Sequence, residues 1–249
     1  MIGRSDHFAV GASPVEQIHQ GSNEFRMRSG LTVPKGEDYS RVSMPWSQSG
    51  KIADAYDKMP DFDPKALPAY KQLAEETGRQ FDHMTKPRSR GGMGIDVQVR
   101  HDDPYAPDNN FDKVVGRFRN DVVNNSRMQV LSTKATGGHP VFSDDQNDMF
   151  RAVHDVFGHL GSGRGIDSHG EEAAFQKHSS MFSPLARQAM ATETRGQNAA
   201  LHKHGSFQEQ KVGFLPEHMQ QAQFASGGNW ADRIAAVQDA RVENRKQGL

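Results

Sequence analysis

Apolar side chains recur at helical spacing in several stretches of the chain that follow residue 60. A repeat of about 3.6 residues predicts amphipathic helices that bury one face. The stretches cover residues 63–84, 109–123, 143–160, 183–205 and 229–247. With one more helix expected after Ser168, the pattern predicts five or six helices.

Two shorter stretches alternate apolar and polar residues instead. Ile95, Val97 and Val99 alternate in "GIDVQVR", and "RMQVLST" (127–133) is similar. A period of two residues predicts strands. The segment that follows, "TKATGGHPVF", is rich in glycine and predicts a loop.

Residues 1–60 show neither period and mix glycine, serine, proline and charge. We expect an extended N-terminal arm there, docked on its own domain, on a partner or on another copy of the chain. Residues 61–249 then form one helical domain. The predicted fold class is α+β: a mainly α-helical single domain with a small two- to three-stranded sheet and this arm.

The composition limits the partners and the kinds of metal site that the chain can have. The chain has 30 basic and 31 acidic residues, so no net charge favours nucleic acid or an anionic membrane. It has no cysteine, which excludes disulfides and thiolate metal sites. No apolar run suits a signal peptide or a membrane span, so we expect a soluble protein of the cytoplasm. Any metal must be bound by histidine and carboxylate.

Helix caps place the candidate residues. Ser143 and Gln146 form a capping-box pattern before a helix that carries His154 and His159. Ser168 and Glu171 repeat that pattern before the next helix. Ser183, followed by Pro184, is the expected N-cap of the helix that runs toward Gly205.

His154 and His159 lie five residues apart in an apolar stretch. Positions i and i+5 of a regular α-helix point about 140° apart, so a shared metal requires a distorted turn. Gly158 permits such a distortion. The competing interpretation is a pair of buried histidines bonded to backbone or carboxylate.

The third ligand predicted from the sequence is Glu193. It lies in the middle of a helix, where an inward carboxylate must be paired or bound to metal. The alternative is an exposed glutamate paired with Arg187 or Arg195. Glu172 is the second choice, and Glu171 is assigned to the capping box.

The segment "HDVFGH" resembles the His-Asp/Glu-x-x-Gly-His signature of the pterin-dependent aromatic amino acid hydroxylases. The resemblance covers about residues 149–216. It implies that His154 and His159 bind non-haem iron and that Glu193, 34 residues after His159, completes the site. Arg151 stands where the family has an aspartate, and we find no counterpart of the pterin-stacking phenylalanine, so pterin is a possible cofactor without support.

A second resemblance concerns origin. The run "HGEEAAFQKHSSMFSPLARQAMATETRGQN" looks like proteins encoded by bacteriophages. It implies a place in the host cytoplasm or in a virion and implies no activity.

Two imidazoles and one carboxylate on one face of an octahedral ion leave three positions open, as in Fe(II) oxygenases. The sequence therefore predicts an Fe(II) hydroxylase that activates O2, with an unknown substrate and reductant. One alternative is a zinc hydrolase with Glu172 as general base. Another is a virion or assembly component whose metal is structural.

Overall fold

A computed structural model describes residues 15–105 and 111–222 of the 249-residue chain. The helix predicted over 229–247 and the first 14 residues of the predicted arm lie outside this part. Within it, the fold is mainly α-helical with one small sheet, as the periodicity predicts. The helices are α1 (Glu16–Arg28), α2 (Trp46–Lys58), α3 (Leu67–Thr85), α4 (Phe111–Asn125), α5 (Asp144–Val153), α6 (Ser168–Ser179), α7 (Pro184–Ala191), α8 (Gln197–His204) and α9 (Glu217–Gln220).

Two helical segments have the wider π geometry. The first, π1 (His154–Leu160), continues α5, and the second, π2 (Thr192–Gly196), joins α7 to α8. The predicted helices over 143–160 and 183–205 are therefore present, each with a π segment inside it. Such segments are frequent at functional sites.

The sheet has two parallel strands, β1 (Asp96–Arg100) and β2 (Arg127–Leu131). Asp96 pairs with Arg127 and Arg100 with Leu131. Because α4 lies between the strands in sequence, the unit is β-α-β, which gives parallel strands the long crossover they require. The described residues contain no third strand.

The extended conformation expected for residues 15–60 is replaced by two packed helices. α1 buries Ile18 and Phe25, and α2 buries Ile52, Ala53 and Tyr56. The buried face of α1 also includes Gly21, Ser22 and Arg26, so few of its inward positions are apolar. This is why the helical period is weak in the sequence.

Helix ends follow the predicted signals in two places out of three. Ser143 and Gln146 form a complete capping box at α5, and the Ser183 hydroxyl accepts a bond from the Ala186 amide at α7. At α6 the N-cap is Asp167, whose side chain accepts from the Gly170 amide. The predicted box of Ser168 and Glu171 is therefore wrong by one residue, and the Glu171 side chain is released from capping.

Two large apolar clusters form most of the core of the described residues, beside a small third one of Tyr39, Val42 and Ala173. One joins α2, α3, α7 and α8 around Tyr70, Phe182 and Met190, and the other joins α1, α5 and π1 around Phe157 and Met128. Helix α6 lies against both π segments. No helix in the described part of the chain has the length and hydropathy needed to cross a membrane.

Candidate metal centre

The π1 segment brings His154 and His159 to one side of the chain. A π-helix closes its hydrogen bonds from i to i+5, so these two positions lie above one another instead of about 140° apart. The ring centroids are 5.2 Å apart and the rings are nearly perpendicular, at 81°. The distortion that the sequence required is present.

Gly158 is required by this packing. A β-carbon at this position would lie 3.2 Å from the Ala174 β-carbon and 3.3 Å from Nδ1 of His154. Helix α6, which carries Ala174, can therefore approach the turn closely only because residue 158 has no side chain.

Glu171 is the carboxylate that meets the two histidines. Its Oε1 lies 3.6 Å from Nε2 of His159, and its Oε2 lies 3.9 Å from Nε2 of His154. The three ligand atoms all lie within 4.8 Å of one another. Metal–ligand bonds of about 2.0–2.2 Å separate neighbouring ligands by about 3–3.5 Å, so a small inward movement suffices to bind an ion.

A hydrogen bond at Nδ1 fixes the orientation of the His154 imidazole. Its Nδ1 lies 3.2 Å from Nδ1 of His178, whose Nε2 lies 2.8 Å from Oε1 of Gln80. The amide nitrogen of Gln80 donates to the carbonyl of Met181, so its oxygen faces His178 and accepts. His178 therefore holds its proton on Nε2 and accepts at Nδ1 from His154.

This chain of bonds leaves Nε2 of His154 with its lone pair directed at the centre. That atom is buried and has no hydrogen-bond partner in the described structure. His159 has the same orientation, since its Nδ1 donates to the carbonyl of Gly165 at 2.9 Å. Histidines that bind metal usually donate their second nitrogen in this way.

The Glu171 carboxylate is the acidic group of this cluster. Burial opposes the charge of Glu171, but His159 and His154 outweigh it and place its pKa below the ordinary value. Asn198 also donates to Glu171 Oε2 at 2.6 Å. Burial, followed by the field of His154, lowers the pKa of His178 far below its ordinary value, so this imidazole stays neutral.

Asp155 is the next residue after His154 and lines the same cavity. Burial raises its pKa to about 6. No hydrogen-bond partner of its carboxylate is found among the described residues.

Glu193, the predicted third ligand, is buried but lies elsewhere in the cavity wall. Its carboxylate accepts from the Tyr70 hydroxyl at 2.7 Å, from His139 Nε2 at 3.2 Å and from Gln210. It is not a member of the His154–His159 cluster. The expectation that it faces inward holds, but the carboxylate that lies near the two histidines is that of Glu171, which does not cap α6.

Other predicted neighbours have structural contacts. Glu172 forms a buried ion pair with Arg195, so it is not available as the general base of a hydrolase. Arg195 therefore orients Glu172 and not Glu193. His169 accepts a bond from the Met44 amide at 2.9 Å, which fastens the chain before α2 to α6.

The centre opens into a cavity of about 1330 Å³. His154, His159 and Glu171 line one part of its wall, and His139 and Glu193 line another. Such a volume exceeds what a structural ion needs and is suited to an organic molecule.

Several residues of the site were missed by sequence reasoning. Gln80 lies on α3, and no spacing rule connects it to His154. Tyr70 was assigned to the core, and His139 to a loop. His178, nine residues after His169 on α6, could be expected to line the pocket, but its bond to His154 could not be predicted.

Comparison of the chain with protein-family models, with curated proteins and with solved structures yields no match.

Proposed function

We propose that this protein is a non-haem Fe(II) oxygenase whose metal is held by His154, His159 and Glu171. Two neutral imidazole nitrogens and one carboxylate on one side of an ion form the ligand set typical of Fe(II) enzymes that use O2. The metal supplies open positions for O2 and for a reductant or substrate. The residues of the chain orient the ligands and enclose the substrate.

The observation that carries the proposal is the direction of the two histidine lone pairs. Nδ1 of His159 donates to a carbonyl, and Nδ1 of His154 donates to His178, so both Nε2 atoms are free to bind metal. A buried imidazole nitrogen without a partner is unfavourable by about 1–3 kcal/mol. An ion at this point removes that cost for His154.

The cavity favours an enzyme over a structural metal site. A structural ion is normally enclosed by four protein ligands, whereas a catalytic ion keeps open positions. Here three ligands border a large cavity. The alternative of an assembly component rested on an arm of sixty residues, and residues 16–28 and 46–58 of that arm are packed helices.

The test is metal loading followed by O2 consumption. Chelator-treated protein is titrated with Fe(II) or Zn(II) without oxygen, and O2 uptake is then measured with ascorbate as reductant. We expect one Fe(II) per chain and O2 uptake in the wild type. Both should be lost in Glu171→Ala and His154→Ala.

The matched control is Glu209→Gln, an exposed glutamate at the same cavity, which should keep both properties. Absence of O2 uptake by the Fe(II)-loaded protein under any reductant would reject the oxygenase, and stoichiometric zinc in protein purified without added ions would then favour the hydrolase alternative.

A further inference from the structure

The carboxylate of Glu193 is buried in the cavity wall, where three side chains donate hydrogen bonds to it. Its three hydrogen-bond donors are Tyr70, His139 and Gln210. His139 accepts at Nδ1 from the amides of Val141 and Phe142, so its only proton is the one on Nε2 and the ring is neutral. No lysine or arginine of the described chain forms an ion pair with Glu193.

The negative charge of this carboxylate affects the pKa of a neighbouring tyrosine. Burial first, and then the negative charge of Glu193, raises the pKa of Tyr56 to about 12. Neutral donors satisfy a carboxylate only in part, since it offers about four acceptor positions and only three are used here. A buried charge without a counter-charge is costly, which makes this position a receptor for a cation.

Most of the other charged side chains that line the cavity are also negative. Five more carboxylates line it, those of Asp103, Asp144, Asp155, Glu171 and Glu209. Arg151 is the one lysine or arginine among the described lining residues. Its two terminal nitrogens already donate to the Leu131 carbonyl and the Thr136 hydroxyl, both at 2.9 Å.

An aromatic wall connects Glu193 to the metal centre. The ring of His139 stacks on that of Phe142, with 4.4 Å between the ring centroids. The Phe142 and Phe150 centroids are 6.3 Å apart. The Phe150 ring is in turn nearly parallel to that of His154, with 6.1 Å between their centroids. At the far end of this wall is the unpartnered and buried Nε2 of His154. The cavity thus has an anionic end, an apolar side and a metal end.

We propose that the cavity binds an organic cation, with its ammonium group at Glu193 and its apolar or aromatic body along Phe142 and Phe150. The far end of the ligand then faces the metal centre, and this part of the inference rests on the proposed function. Aromatic faces beside carboxylates are the usual surroundings of bound ammonium groups.

The charge of the cavity also disfavours anionic ligands. In the metal-free protein, an anionic group would enter a cavity lined by carboxylates, and the one arginine among the described lining residues has its terminal nitrogens engaged. Free amino acids, which add a carboxylate to the amine, are therefore poorer ligands than the corresponding amines.

Four probes with the same phenyl group test this: phenethylamine, 2-phenylethanol, 3-phenylpropionate and phenylalanine. Binding is measured by calorimetry at neutral pH on the protein with Zn(II) and on the metal-free protein. We expect phenethylamine to bind at least about tenfold more tightly than the alcohol, and both anionic or zwitterionic probes to bind more weakly, since close charge pairs are worth more than about 1 kcal/mol.

Glu193→Gln should remove the preference for phenethylamine over 2-phenylethanol, and Glu24→Gln, at an exposed glutamate of α1 that does not line the cavity, should keep it. Equal binding of amine and alcohol, an unchanged preference in Glu193→Gln, or binding of none of the probes overturns the inference. Metal titration of the same samples separates the two proposals. A wild-type protein that binds metal but does not prefer the amine contradicts this inference alone, and a wild-type protein that prefers the amine but does not bind metal contradicts the oxygenase alone.

Discussion

At the scale of single residues, the centre depends on which glutamate completes the ligand set. Sequence reasoning located both histidines, because two histidines in an apolar turn beside a glycine are unusual. It could not locate Glu171, because that choice depends on whether α6 is capped by Asp167 or by Ser168. A shift of one residue decides whether the Glu171 side chain caps the helix or lies beside the two histidines.

Replacing each glutamate separates the two assignments. Glu171→Gln removes a charged ligand. Loss of a residue that only hydrogen-bonds to a metal ligand lowers metal affinity by up to about 100-fold. We therefore expect the affinity for Fe(II) or Zn(II) to fall by more than that. Glu193→Gln removes a charge outside the cluster, which is worth about 1 kcal/mol, so its effect should stay below about tenfold. Competition with a metal-binding dye measures both, and the reverse order would contradict the assignment.

Substitutions of Gln80 test the hydrogen-bond chain that orients His154 through His178. Gln80→Leu removes the acceptor of His178 Nε2–H and so loosens the tautomer of His154. We expect metal affinity to fall by about 10–100-fold. Gln80→Glu keeps an acceptor and should restore most of it. A role in packing alone predicts that both variants lose stability without this difference in metal affinity.

At the scale of elements, the π1 segment converts a spacing that does not suit a helix into a binding geometry. The need for a distortion could be predicted from the 140° separation, but its kind could not, because a wide turn, a helix end and a π segment all satisfy it. The helices α1 and α2 were missed for another reason. Their buried faces include small and polar residues whose partners lie far away in sequence, such as Arg26 with Glu37 and Ser180.

Gly158→Ala tests the close approach of α6 to π1. The new methyl group would press on Ala174 and His154, and overpacking of this kind costs about 1–3 kcal/mol. We expect lower stability in denaturant and weaker metal binding. Gly78→Ala is the matched control, because nothing lies within 4 Å of its β-carbon and a helical alanine is favoured by up to about 1 kcal/mol. Equal effects of the two substitutions would show that the approach is unimportant.

At the scale of the whole molecule, the fold class was predictable from periodicity, and its internal ion pairs were not. Glu37 lies in a loop after α1 and pairs with Arg26 and Lys177, all three with buried side chains. These contacts join α1 and the loop after it to α6, the helix that carries Glu171. No local pattern in the sequence indicates a contact across 140 residues.

The pH dependence of stability follows from this cluster. Burial alone raises the pKa of Glu37, but Lys177 and Arg26 outweigh it and lower the pKa to about 2 from an ordinary 4.5. A lowered carboxyl pKa stabilises the fold above the ordinary value and loses that stability as pH falls toward 2. We expect the free energy of unfolding to decline between pH 4.5 and 2.

Glu37→Gln should flatten that decline and, at neutral pH, destabilise the protein by about 3–5 kcal/mol, because two buried cations lose their partner. Glu24→Gln, an exposed glutamate on the same helix α1, should change stability by less than about 0.5 kcal/mol. Denaturant titrations across this pH range measure both. A Glu37→Gln variant with the same pH profile as the wild type would contradict the assignment.

The most direct test of the account is the coordination of the metal itself. Anomalous diffraction or X-ray absorption on the Fe(II)-loaded protein gives the ligands and their distances. The account predicts one ion with Nε2 of His154, Nε2 of His159 and a carboxylate oxygen of Glu171 at about 2.0–2.2 Å, and the remaining positions open to the cavity. An ion bound by Glu193 in place of Glu171, or imidazoles of His154 and His159 that do not bind a common ion, would contradict it.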